Sequence, residues 1–264
     1  MPFFKNDQIK IHYEIEGEGP DLIMIHGFAA NIEINWRQPN WITTLKDENR
    51  LILIDCRGHG NSDKPYDPAM YGTYMRDDVF KLMDHLSIQK ANFFGYSMGG
   101  NITLSILLSE PNRVNCAIIG GYIPPLTKPE LARQLYEPVI AALKAIDKKD
   151  IKNPIAKNFR DFADSTGEDL KALAAVMEGN FIQRDENLIF DSIASIKSSF
   201  KKIKVPVLSV VGTDDVLIQN KTLFAEIMPG ACHFQIQGRD HLTAVPDPRF
   251  HMIVRAFLNY INRK

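Results

Sequence analysis

Four short apolar runs, each bounded by a segment long enough for a helix, constrain this chain more than any other feature. They are residues 22–25 (LIMI), 51–54 (LILI), 91–94 (ANFF) and 114–119 (VNCAII). A strand with one wet face alternates apolar and polar side chains. An unbroken apolar strand must instead be covered on both sides, as in a parallel sheet between two helical layers. Residues 207–211 (VLSVV) and 232–236 (CHFQI) resume the pattern late in the chain. Helices are expected over residues 70–86, from Met98 onward, and over 221–227 and 248–261. Only residues 9–16 (IKIHYEIE) alternate with period two, which reads as an antiparallel strand closed by the turn at 16–20 (EGEGP).

Between Tyr122 and Phe200 the alternation stops. Helical patterns run over residues 128–146, 155–164, 168–177 and 186–200, with Pro124 and Pro125 at the entry and Pro206 at the exit. The expected organisation is therefore a core from residues 1–121 and 201–264, with residues 122–200 inserted as a helical cap, or lid. Phe159, Phe162, Leu173, Met177 and Phe181 are candidates for the inward face of that cap.

Charge is nearly balanced, with 31 Lys and Arg against 32 Asp and Glu. No global field exists to attract nucleic acid or an anionic membrane surface, and a small, roughly neutral partner is expected. The most basic run, residues 197–204 (KSSFKKIK), reads as a solvated helix end. Cys56, Cys116 and Cys232 are odd in number and lack C-x-x-C spacing, which suits neither a disulfide framework nor a zinc site. No run is apolar enough to span a bilayer, and the first ten residues do not form a leader. These features lead to the expectation of a cytoplasmic protein.

Chemistry concentrates in Gly95-Tyr96-Ser97-Met98-Gly99, a G-x-S-x-G sequence between an expected strand and an expected helix. A sharp strand-to-helix turn forces its middle residue into a strained conformation that only small neighbours permit. It lifts the serine hydroxyl above the sheet edge at a helix N-terminus. Five residues alone also fit a serine that merely caps a helix. The run does not fit a phosphate-cradling loop, because Ser97 stands where G-x-G-x-x-G needs glycine and no Lys follows in P-loop spacing.

Taken with other segments, this motif resembles the α/β-hydrolase superfamily over nearly the whole chain. The segments are His26-Gly27-Phe28, residues 55–62 (DCRGHGNS), residues 95–100 (GYSMGG), Gly212-Thr213-Asp214-Asp215 and Gly238-Arg239-Asp240-His241. The resemblance implies a mostly parallel central sheet with helices on both faces, a helical cap, and no cofactor or metal. It implies a triad in the chain order Ser97, Asp215, His241, with backbone N–H groups of Phe28 and Met98 as the oxyanion hole. Asp214 is the neighbouring alternative for the acid, and family spacing from Gly212 favours Asp215. Ser97 sets the chain apart from relatives that use an aspartate nucleophile.

An esterase-type serine hydrolase acting on small or medium carboxylic esters is the leading expectation. A lactone hydrolase, a carbon–carbon bond hydrolase or a perhydrolase would use the same residues, and a ligand-binding receptor or regulator could use the same fold. Tyr122, Phe162 and Met177 are the candidate substrate contacts. His26 and His59, in glycine-flanked turns, are assigned structural hydrogen bonds. His12, His85, His233 and His251 read as core or surface residues.

Overall fold

The computed structural model describes residues 2–124, 129–179, 188, 192–201, 203–228 and 230–263. Eight strands are described: β1 (Phe3–Asn6), β2 (Ile9–Glu16), β3 (Asp21–Ile25), β4 (Arg50–Ile54), β5 (Ala91–Tyr96), β6 (Val114–Gly120), β7 (Val207–Gly212) and β8 (Cys232–Ile236). They form one sheet in the order β1-β2-β4-β3-β5-β6-β7-β8. β1 pairs with β2 and β2 with β4 in antiparallel fashion, and every later pairing is parallel. All the strands expected from the apolar runs are present. β1 is an addition that its four-residue length concealed.

Helices α1 (Trp41–Leu45), α2 (Thr73–His85), α3 (Met98–Ser109), α8 (Leu223–Ile227) and α9 (Pro248–Asn262) cover the sheet. The two-residue period of the strands divides the core between its faces. Ile23, Ile25, Ile52, Ile54 and Phe93 pack into the layer with α2, α3 and α8. Leu22, Met24, Leu51, Leu53 and Phe94 point the other way, into the layer with Trp41 of α1 and Phe250 and Val254 of α9. This two-sided covering is the reason residues 22–25 and 51–54 carry no polar face.

Among the described residues between β6 and β7 there are helices and no strand. The larger ones are α4 (Pro129–Lys144), α5 (Pro154–Thr166), α6 (Leu170–Met177) and α7 (Ile193–Phe200). α4 packs on both α5 and α6. Asn153 and Asp169 start α5 and α6 by accepting backbone N–H bonds from Ala156 and from Lys171 and Ala172. Pro125, Phe181 and the expected start of the last helix at residue 186 lie outside the described residues. Glu168 ties this segment to the core. Its nearly buried carboxylate accepts from the Gly60 N–H at 3.0 Å and from Asn31 Nδ2 at 2.9 Å. No helix among the described residues is long and apolar enough to cross a membrane.

Candidate active site

The chain leaves β3 toward β4 on one side and later places β5 on the other. A crevice opens where the strand order reverses, at the carboxyl ends of β3 and β5. Ser97 follows β5 directly and has φ 53° and ψ −110°, in the region that L-residues avoid. Its N–H donates to the Gly120 carbonyl at 2.8 Å, which pins the turn to the neighbouring strand. A Cβ at Gly95 would collide with the Gly99 carbonyl, and one at Gly99 would collide with the Ile25 carbonyl. Both glycines are therefore required by close backbone approach. Ser97 makes no side-chain capping bond to α3, so its hydroxyl is not spent on the helix.

That hydroxyl lies 2.8 Å from His241 Nε2, and His241 Nδ1 lies 2.7 Å from Asp215 Oδ2. Asp215 follows β7 and is fully buried, while its other oxygen accepts the Leu217 N–H at 2.9 Å. A buried carboxylate on Nδ1 places the imidazole proton there and leaves Nε2 basic toward Ser97. Asp214 is exposed and points elsewhere, accepting from Thr213 Oγ1. The structure therefore brings Asp215, not Asp214, to the histidine. Asp240 accepts from Leu242 N–H, Thr243 N–H and Thr243 Oγ1, and these bonds, led by the Thr243 backbone N–H, hold its carboxyl below the usual range.

Met98 is the first residue of α3, and its N–H is among those a helix leaves without an internal acceptor. Phe28 sits across the crevice on the loop after β3. Two contacts shape that loop: Gly27 N–H donates to Asn35 Oδ1 at 2.8 Å, and the His26 ring spans it. His26 Nδ1 donates to the Gly27 carbonyl at 2.7 Å, and its Nε2 accepts the Cys56 N–H at 2.9 Å. Burial holds His26 below its ordinary pKa, which keeps the ring neutral and both bonds intact. His59 contacts the Arg57 carbonyl through Nδ1 at 3.2 Å, and burial pushes its pKa down to about 3.

A cavity of about 350 Å³ opens at Ser97 and His241. Its walls are mostly apolar: Phe28, Phe159, Phe162 and Ile155 on one part, Val216, Leu217 and Leu242 on another. No Lys or Arg among the described residues lines it, and neither do residues 55–62. Arg57 of that motif is instead buried against Asp78 of α2, with two contacts of 2.6 Å.

Of the three sequence-expected substrate contacts, only Phe162 lines the cavity. Met177 does not: it is fully buried among the apolar residues that pack the cap. The helical stripe that suggested it marks packing rather than a pocket wall, and Leu173 shares this fate. Tyr122 does not line the cavity either: its Cβ lies against Gly100 and its hydroxyl donates to Asn101 Oδ1 at 2.8 Å. Three contributors escaped sequence reasoning. Tyr96 donates its hydroxyl to the His241 carbonyl, and burial, followed by the charges of Asp215 and Asp240, raises its pKa well above the usual value. Val216 and Leu242 follow the triad positions directly, but no periodicity distinguishes them.

A family model for the alpha/beta hydrolase fold matches residues 20–247. The chain belongs to this family. Among solved structures, the alpha/beta hydrolase described here is similar to Est816, an N-acyl homoserine lactone degrading enzyme. The TM-score is 0.73 at 26% identity, covering 97% of this chain and 100% of the other. The enol-lactonase from Burkholderia xenovorans LB400 shares the fold, with TM-score 0.73 and 23% identity over 98% of this chain and 100% of the other. In sequence, the hydrolase is 25% identical over 273 residues to the pimeloyl-[acyl-carrier protein] methyl ester esterase of Aliivibrio fischeri (strain MJ11), covering 94% of this chain and 97% of that protein. It is also 31% identical over 121 residues to a putative 2-succinyl-6-hydroxy-2,4-cyclohexadiene-1-carboxylate synthase of Bacillus subtilis (strain 168), where the match covers 44% of this chain and 43% of that protein. The match spans under half the length of several of the curated relatives.

Proposed function

We propose that this protein is a serine hydrolase that cleaves small or medium neutral carboxylic esters through an acyl-Ser97 intermediate. The observation that carries the reading is the pair of short contacts from His241, 2.8 Å to Ser97 and 2.7 Å to Asp215, at the floor of an apolar cavity. His241 Nε2 takes the Ser97 proton as Oγ attacks the ester carbon. The N–H groups of Met98 and Phe28 receive the oxyanion, each worth roughly 3 to 4 kcal/mol in the transition state. His241 then gives its proton to the departing alcohol, and Asp215 stabilises the imidazolium throughout. Water repeats the sequence on the acyl-serine and frees the acid.

The lining argues for a neutral substrate. A carboxylate-bearing one would lose its hydration in this cavity with no cationic side chain among the described lining residues to replace it. For this reason the name of the Bacillus subtilis relative, which specifies a carboxylate, is not carried over. Similarity to the methyl ester esterase and to Est816 favours an ester or its cyclic form, a lactone, which follows the same steps with the alcohol still tethered. No step calls for a metal or cofactor, and the expected setting is the cytoplasm.

The test is a hydrolysis screen over aryl esters of graded acyl length, lactones and vinylogous diketones. Rapid turnover of esters with a clear acyl-length optimum is expected. Faster cleavage of a diketone than of any ester would overturn the assignment, and tight binding with negligible turnover would point to a receptor.

A further inference from the structure

Cap and core meet at Glu168, which immediately precedes Asp169, the residue that starts α6. It is 8% exposed, and its partners among the described residues are N–H groups rather than cations. The Gly60 N–H lies 3.0 Å from both carboxylate oxygens, and Asn31 Nδ2 lies 2.9 Å from Oε1. Burying a carboxylate costs hydration that such bonds return only in part, so the tie is a weak source of stability. Its consequence lies in what Asn31 holds.

Asn31 stands at the far end of the loop that begins at Gly27. With its Nδ2 turned to Glu168, its Oδ1 accepts the Ile34 N–H at 3.0 Å, and its backbone carbonyl accepts the Asn35 N–H at 2.9 Å. Asn35, itself buried, accepts the Gly27 N–H through Oδ1 at 2.8 Å. Gly27 and Phe28 share a peptide plane, in which the Phe28 N–H points opposite to the Gly27 carbonyl. That carbonyl accepts from His26 Nδ1 at 2.7 Å and from the Ala30 N–H at 3.3 Å. The contacts that fix Gly27 and Ala30 therefore aim the Phe28 N–H. Between Phe28 and Ala30, Ala29 has a φ of 55°, in the left-handed region that a residue with a Cβ seldom occupies. Such a conformation persists only where the chain on each side is held. The core holds one side through His26 and the other through Asp55, whose Oδ1 accepts the Ile32 N–H at 2.9 Å. Glu168 is the hold that the cap has on the same loop.

We propose that Glu168 is a positioning residue for the oxyanion hole: through Asn31 and Asn35 it makes the aim of the Phe28 N–H depend on this contact with the cap. The inference rests on the acyl-Ser97 reading, in which that N–H receives the oxyanion. The consequence is selective. Charge on the substrate carbonyl oxygen is greatest in the tetrahedral transition state, so a misaimed donor lowers kcat and barely alters binding of the ground state in the apolar cavity. Removing an oxyanion donor outright costs about 10²- to 10³-fold in kcat. Asp55 still anchors Ile32 when the Glu168 carboxylate is gone, so a partial loss of about tenfold is expected.

The experiment measures kcat and KM on an aryl acetate and an aryl butanoate, with active sites counted by organophosphonate titration so that unfolded protein does not enter. It also measures inhibition by an alkyl trifluoromethyl ketone, whose adduct with Ser97 places its negative oxygen in the oxyanion hole. Glu168→Ala should lower kcat about tenfold on both esters, hold KM within about twofold and weaken the ketone about tenfold. Glu168→Gln keeps an acceptor for Gly60 and Asn31, and should stay within about threefold of the unaltered protein. Asn31→Asp sets two carboxylates face to face and should cost about tenfold or more in kcat. Adding Glu168→Gln to Asn31→Asp lets Gln donate and Asp accept, so the double variant should recover most of that loss. Met177→Ala loosens the packing of the cap without touching this tie. It should lower the thermal midpoint yet leave kcat per active site within about twofold. A Glu168→Ala variant that loses thermal stability while kcat and ketone affinity hold would overturn the positioning role. So would a change in KM alone, an equal kcat loss in Met177→Ala, or no recovery in the double variant. An unaltered protein that neither hydrolyses esters nor takes the organophosphonate would overturn the acyl-serine reading, and this inference with it.

Discussion

Two buried aspartates each hold a histidine by Nδ1: Asp215 holds His241 at 2.7 Å, and Asp55 holds His12 at 2.8 Å. A serine accompanies each pair. Ser97 offers its Oγ to His241 Nε2 within a cavity. Ser62 instead donates its hydroxyl to the Asp55 carbonyl at 2.6 Å and accepts the His12 backbone N–H at 2.8 Å, so its hydrogen is committed to the fold. His12 is fully buried on β2, with no hydrogen-bond partner for Nε2 among the described residues. The same three residue types thus make a candidate triad in one place and a structural tie in the other. What separates them is whether the serine proton is free for the imidazole, and whether the imidazole faces space that a substrate can enter.

The widest contrast should come from the two serines. Ser97→Ala is expected to lower kcat by about 10⁶-fold if the subtilisin magnitude transfers, with the fold intact. Ser62→Ala should leave kcat per folded molecule within a few-fold, while urea unfolding shows a loss of about 1–3 kcal/mol from the unpaired His12 N–H. The aspartates come next. Asp215→Asn should cost about 10⁴-fold in kcat, and the exposed Asp214→Asn only a few-fold. Asp55→Asn should appear mainly as lost stability, on the order of 3 kcal/mol, because it breaks a buried pair. Greater damage from Asp214→Asn than from Asp215→Asn would move the acid by one place.

Acid should act on the buried histidines before it dissolves the fold by other routes. His59, with a pKa of about 3, and His26, also lowered, stay neutral when folded but take up a proton when unfolded. Between the unfolded value near 6.5 and the folded one, the unfolded state binds more protons, so stability falls as pH drops through that window. The slope approaches about 1.4 kcal/mol per pH unit for each histidine. Urea unfolding from pH 7.5 to 4 measures it, and His59→Asn should flatten it.

The smallest contrast lies within the cap. Phe162→Ala should change the ranking of ester chain lengths by a few-fold, more than it changes the rate on an acetate ester. Met177→Ala should leave the ranking alone and cost about 2–5 kcal/mol of stability. Comparing kcat/KM for acetate and longer esters with the thermal midpoint of each variant separates the two effects.

Much of the frame was legible because burial on both faces forces a strand such as residues 51–54 to be apolar throughout, a constraint visible without neighbours. The turn at Ser97 was legible for a similar reason: the backbone of Gly99 packs so closely on that of Ile25 that no side chain fits. The cap was legible as helices but not as a pocket wall. Met177 and Phe162 are both apolar residues on helical patterns, and only tertiary packing sends one into the core and the other to the cavity. The rest of the cavity wall was harder still. Val216, Leu217 and Leu242 sit in turns, where side-chain direction follows from hydrogen bonds to Asp215 and Asp240 rather than from any period in the sequence. The short strand β1 was missed because four residues are too few to establish an alternation.

The central claim, that Ser97 is a nucleophile activated by His241, is tested most directly by stoichiometric reaction with an organophosphonate, followed by intact-mass measurement and peptide mapping. The expected result is one adduct per chain, located on Ser97, with turnover lost in proportion to labelling and no adduct formed by Ser97→Ala. An adduct on another residue, or undiminished turnover in fully labelled protein, would contradict it.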